Sequence, residues 1–101
     1  MPTYQLSALA AEDLDEILQY TFERFGKKQM LKYNTQLSVC LDKISQDEGL
    51  YKKIEIEEKI VRSLRCQKHY IFALERGDKP LLILAILHEK MELTRRLKNR
   101  L

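Results

Sequence analysis

The sequence predicts an α+β fold: an antiparallel helical hairpin packed on a largely antiparallel sheet, in the order β-α-α-β-β-β, with a short basic C-terminal helix. Three observations carry that prediction. Two apolar stripes at helical spacing follow one another with little more than Gly26 between them. Two later segments, "HYIFALE" and "LLILAIL", read as strands and are joined by the turn-forming "RGDKP". A short alternating run, "TYQLS", stands ahead of the first helix.

Each element has a local reason. Tyr4 and Leu6 share one face of the first strand, and Ser7 sits where a helix N-cap belongs. Glu12, Asp13, Asp15 and Glu16 load the early turns of the helix that follows, on the side its dipole favours. Leu14, Ile17, Leu18, Thr21 and Phe25 form its stripe, and Gly26 ends it. The second helix runs from about Lys28 to Ser45 on the stripe Met30, Tyr33, Leu37, Cys40, Leu41 and Ile44. So short a connection folds the two helices back as a hairpin whose apolar side needs a sheet to cover. "IEIEEK" reads equally as loop or edge strand, whereas "IVRSLR" opens a three-strand meander. Pro80 enters the last strand where a missing donor is tolerated, and the unbroken apolarity of Leu81 to Leu87 marks that strand as central.

At 101 residues, with 45% hydrophobic and 33% charged composition, the chain is expected to form one domain over residues 1–101. Breakers are few (Pro2, Gly26, Gly49, Gly77, Pro80), which argues against long loops. Cys40 and Cys66 make no disulfide framework, and Cys40 reads as a small buried hydrophobe. No signal peptide precedes the first strand, and no apolar run approaches the roughly 18 residues of a membrane span. A cytoplasmic, reduced chain away from membranes is the expectation.

Charge is placed unevenly. From Glu89 onward stand Lys90, Arg95, Arg96, Lys98 and Arg100 against Glu89 and Glu92. The remainder of the chain is balanced, so this ending carries the whole net charge of +3. Such an asymmetry points to an anionic or acidic partner.

Several chemistries are disfavoured by composition and spacing. Cys66 and His69 have C-x-x-H spacing and His88 is available to join them, but a zinc site needs a further ligand that nothing supplies. Phosphate-binding loops and nucleophile elbows are absent, and no cofactor is expected. The paired carboxylates of the first helix read as solvent contacts rather than acid/base machinery. Arg62, Arg65, Lys68, His69, His88 and Lys90 lie on neighbouring strands or their ends, the cation and proton-transfer types that a metal-free ribonuclease needs. The simpler reading makes Arg62 and Arg65 solvent-side residues and the histidines hydrogen-bonded strand-end residues. In "MELTRRLKNRL", Met91, Leu93 or Thr94, Leu97 and Leu101 fall near helical spacing with the basic residues between them. Eleven residues are marginal as an isolated helix, so that stripe should rest on the sheet or on a partner.

Three stretches carry a family resemblance. "LSALAAEDLDEILQYTFERFG" supplies Leu6-Ser7, Asp13-Leu14, Glu16-Ile17, Tyr20-Thr21 and Arg24-Phe25-Gly26. "VRSLRCQKHYIFAL" supplies Arg62, His69, Ile71 and Phe72, and "ILHEKMEL" supplies Leu87, His88, Lys90, Met91 and Glu92. In this order they resemble the ParE branch of the RelE/ParE toxin superfamily over nearly the whole chain. The chain departs from the branch at "GLYKKIEIEEK", where a Pro/Gly turn is usual, and at "RCQKH", which lacks the usual glycine.

The resemblance implies the same fold and a bacterial type II toxin neutralised by an antitoxin of the ParD kind. ParE-like toxins act on DNA gyrase, whereas RelE-like relatives cleave messenger RNA on the ribosome. Lys52, Lys53, Arg62 and Arg65 imitate the cations of the RelE set, and His88 could serve as its acid. The chain nonetheless continues into a basic helix instead of stopping on a catalytic residue, which favours gyrase inhibition without catalysis. Arg62, His88 and Lys90 are the residues expected if it is a ribonuclease, and Lys90, Arg95, Arg96 and Lys98 those expected to face the target. The exposed side of the hairpin around Ile17, Phe22 and Tyr33, with the sheet edge, is expected to take the antitoxin. Direct sequence-specific nucleic-acid binding is not expected. An inactive relative that only binds an antitoxin is the third reading.

Overall fold

The computed structural model describes residues 4–46 and 50–101, so Pro2 and Gly49 lie outside the described residues. After β1 (Tyr4–Leu6), Ser7 caps α1 (Ala8–Phe25) through its Oγ, which accepts from the Ala10 N–H at 3.1 Å. The acids begin at Glu12, beyond the first turn, where their benefit to the helix dipole has already fallen off. Ala10 and Thr21 are buried, with Leu14 and Ile17 packed beside them. Phe25 is 67% exposed, contrary to its place in the expected stripe, because it is the last residue before the chain turns back. Gly26, at φ +88, makes that turn in the left-handed region open to glycine. Its N–H donates to the Phe22 carbonyl and its own carbonyl accepts from the Met30 N–H, so one residue ends α1 and starts α2 (Lys27–Ser45).

Four strands follow: β2 (Lys52–Ile56), β3 (Lys59–Cys66), β4 (His69–Leu74) and β5 (Leu81–His88). The meander therefore has one strand more than expected, with "IEIEEK" supplying β2 and its turn. The sheet order is β1-β5-β4-β3-β2; only the β1–β5 pairing is parallel, and it places Tyr4 opposite Leu81 and Leu6 opposite Ile83. β5 is interior along its first half and nearly all buried. Its pairing with β4 slips once: Phe72 faces Ala85 and Ala73 faces Ile83, which leaves Leu84 as the extra residue of a bulge.

The sheet separates two cores. Ala10, Leu37, Leu41, Ile44, Ile71, Ala73 and Ile83 fill the space under the hairpin. Val61, Phe72, Leu84, Ala85 and Leu87 lie on the opposite face, under α3 (Leu93–Lys98). The bulge lets Leu84 and Ala85 both serve this second core, which strict alternation would forbid.

Cys40 and Cys66 are disulfide-bonded, which corrects the expectation of reduced thiols. Cys40 lies on the sheet-facing stripe of α2, and Cys66 shares the hairpin side of β3 with Leu64; their Cα atoms are 6.1 Å apart. Two cysteines 26 residues apart on different elements give no sign of this in the sequence. Among the described residues no helix is long and apolar enough to cross a membrane.

Candidate interaction surface

The basic ending is a short helix held down by leucines. Leu97 is 3% exposed and packs, with the partly buried Leu93 and Leu101, on Val61, Phe72, Leu84, Ala85 and Leu87. Helical geometry then turns Arg95, Arg96 and Lys98 to solvent, where all three are exposed. Six residues form the helix where eleven were expected, since the chain still bends at residues 89–91 and Asn99 already caps the end. Arg95 lies 4.0 Å from Glu92 with both side chains more than 60% exposed, a weak pair. Lys90 is exposed in the bend, and its N–H donates to His88 Nδ1 at 3.1 Å. The sheet adds to this side: Lys52 and Arg65 pair opposite Ser63 and Tyr70, on the face that α3 covers. Arg65 reaches Glu89 at 2.6 Å and lies over the Tyr70 ring.

Arg100, the last cation, is not part of that exposed set. Its Nη1 donates to Asp13 Oδ2 (2.9 Å) and to the Leu84 carbonyl (2.8 Å), and its Nη2 donates to Asp13 Oδ1 (3.0 Å). Asp13 also accepts from the Ile86 N–H at 3.0 Å. Both side chains are more than four-fifths buried. Sequence reasoning missed the pair; the available signal was Asp13 on the flank of the α1 stripe, four residues before Ile17.

The histidines stand at strand ends. His69 and His88 face each other across β4 and β5 with ring centroids 5.1 Å apart, and the Tyr33 hydroxyl is hydrogen-bonded to His69 Nδ1. Burial, aided by the nearby His88 charge, lowers the His69 pKa to about 4, while burial raises that of Tyr33. Neutral His69 carries one ring N–H, and its tautomer decides which partner of the Tyr33 hydrogen bond donates. Of the residues weighed as zinc ligands, Cys66 is taken up in the disulfide, while His69 and His88 each hold a hydrogen bond at Nδ1.

Arg62 is a joint of the fold rather than the solvent-side residue expected. It is 9% exposed, donates to Glu75 at 2.8 Å and to the Ile44 and Gln46 carbonyls, and lies over the Tyr51 ring. The Arg62 hydrogen bond, reinforced by Lys53, holds the Glu75 carboxyl below its ordinary pKa. Arg62 and His88 share the hairpin face but not a place on it. Arg62 pairs through Ala73 with Ile83, whereas His88 pairs through His69 with Cys66. Four residue steps along β3 separate the two rows, roughly 13 Å along the strand. The structure thus brings His88 and Lys90 together and leaves Arg62 apart from both.

On the helical hairpin, Phe22 is 48% exposed, but Ile17 and Tyr33 pack inward. The apolar side chains that do reach solvent there include Leu9, Tyr20, Phe25, Leu31 and Val39.

Comparison with known proteins now bears on this arrangement. The family described as "ParE toxin of type II toxin-antitoxin system, parDE" matches residues 4–93. The chain belongs to the ParE toxin family. It is 38% identical to Toxin ParE of Escherichia coli over 101 residues, 100% of this chain and 98% of that protein. Toxin ParE1 of Caulobacter vibrioides is 29% identical over 90% of this chain and 93% of its own length. Among solved structures, one titled "Chromosomal ParDE TA system from P. aeruginosa" shares the fold with a TM-score of 0.71 at 22% identity, covering 87% of this chain and 96% of its own. The ParE family match stops at Leu93, the first residue of α3, whereas the alignment with the E. coli ParE runs through the basic helix.

Proposed function

We propose that this ParE-family chain is the toxin of a toxin–antitoxin pair that inhibits DNA gyrase and is neutralised by an antitoxin of the ParD kind. The observation that carries the reading is the docked α3, which fixes Leu97 in the core and leaves Arg95, Arg96 and Lys98 exposed beside Lys90. A ribonuclease would need its cations and proton carriers around one phosphate. Arg62 instead spends its donors on Glu75 and two carbonyls at the end of α2, far from His88. For the antitoxin, the solvent-facing apolar residues around Phe22, including Phe25 and Leu31, suit an amphipathic helix laid on the hairpin.

The test is a supercoiling assay in which the purified chain is titrated into DNA gyrase with relaxed plasmid and ATP. Loss of supercoiling is the expected result. The double substitution Arg95→Glu/Arg96→Glu should weaken inhibition by roughly tenfold or more while leaving the thermal midpoint unchanged. Intact supercoiling with the folded, antitoxin-free wild type would overturn the reading in favour of ribosome-dependent RNA cleavage, with Arg62, His88 and Lys90 the next residues to change.

A further inference from the structure

The Asp13–Arg100 pair does three things at once. It ties the last turn of the chain to α1, supplies an acceptor for the Ile86 N–H, and supplies a donor for the Leu84 carbonyl. β1 pairs with β5 only as far as Ile83, so from Leu84 onward β5 has no parallel neighbour. Asp13 and Arg100 satisfy the edge groups that β1 leaves behind, at the place where the bulge has displaced Leu84. Arg100 lies in the residues just after α3, and Leu97 is the only fully buried side chain of that helix. α3 rests on Leu97, with Leu93 and Leu101 partly buried beside it, and apolar contacts are non-directional, so they leave its direction weakly set. The bidentate ion pair adds a directional fixed point just beyond the helix.

We propose that Asp13 and Arg100 are positioning residues for the target-binding helix: they fix the direction of α3 so that Arg95, Arg96 and Lys98 are presented as one rigid surface. This rests on the gyrase reading above. The two residues make no contact with the target themselves. Once the pair is broken, α3 leaves the sheet while the sheet and the hairpin stay folded.

The experiment uses the full chain and the variants Arg100→Ala, Asp13→Asn and the two combined. Asn keeps an acceptor for the Ile86 N–H while removing the charge, so the fold is spared the larger loss. Limited trypsin digestion followed by mass spectrometry reads cleavage after Arg95 and Arg96, and hydrogen exchange reads the β4 and β5 amides. Gyrase supercoiling reads function. In both single variants, cleavage after Arg95 and Arg96 should accelerate roughly tenfold or more with the strand amides still protected, and inhibition should fall in parallel. The double variant should be no worse than either single one, as expected of groups acting as a unit. Wild-type protection of α3 with full inhibition in the Arg100→Ala chain would overturn the proposal. So would lost inhibition with α3 still protected, because Arg100 would then be touching gyrase directly. A wild-type chain that does not inhibit gyrase, but whose α3 is released by these substitutions, would overturn the gyrase reading and leave the clamp standing.

Discussion

His69 is held neutral by its surroundings, and that makes it a source of acid sensitivity. With a folded pKa of about 4 against an ordinary 6.5, the unfolded chain takes up a proton below 6.5 that the folded chain refuses. Stability therefore falls as pH drops from 6.5 to about 4, and a His69→Gln chain should show a flatter urea-midpoint profile across that window. Glu75 adds to the slope at lower pH, since a carboxyl held below its ordinary pKa loses its contribution once it is protonated. Arg62 is the other side chain whose removal should be costly. Arg62→Ala removes the donor to the Ile44 and Gln46 carbonyls and leaves Glu75 with Lys53 alone, and urea denaturation should show a loss of about 2 kcal/mol. The strand-end places of His69 and His88 were legible because alternation and the RGDKP turn set the strands. The burial of Arg62 was not: arginine is solvent-side by default, and the carbonyls that hold it come from Ile44 and Gln46 on another element.

Among the elements, the two hairpins at the β2–β3 and β3–β4 turns break a local rule. Glu57 and Glu58 occupy φ +52 and +65, and Gln67 φ +57, where glycine or asparagine is usual. That is why "IEIEEK" read as ambiguously loop or strand: the glycine that would have announced a two-residue turn is missing. Replacing Glu57-Glu58 with Asn-Gly should raise the urea midpoint, at unchanged m-value, by the equivalent of about 1 kcal/mol. Both long helices were legible to within a residue, because Ser7 and Gly26 are caps with a mechanism and the α2 stripe runs unbroken from Met30 to Ile44. The last helix was legible as basic and amphipathic but not in its length. What shortens it is the bend before Leu93 and the reach of Arg100 back to Asp13, a contact across 87 residues.

At the scale of the molecule, the disulfide fastens the middle of α2 to the end of β3 and so ties the hairpin layer to the sheet. Closing a segment 26 residues long should stabilise the fold by about 3 kcal/mol, a loss that chemical denaturation with and without dithiothreitol will measure. The two-core arrangement was legible only in part. Apolar periodicity showed that the hairpin must cover a sheet, but the second core depends on the bulge at Leu84, which no local pattern announces. The parallel pairing of β1 with β5 has a consequence for how the chain comes into being. The first strand pairs only once the last strand exists, and Asp13 only once Arg100 does, so the β1-side edge of β5 closes through contacts of very long sequence separation, the kind that slows folding. The sheet stays open on that side until its two most distant segments meet, and the basic surface takes its fixed direction only then.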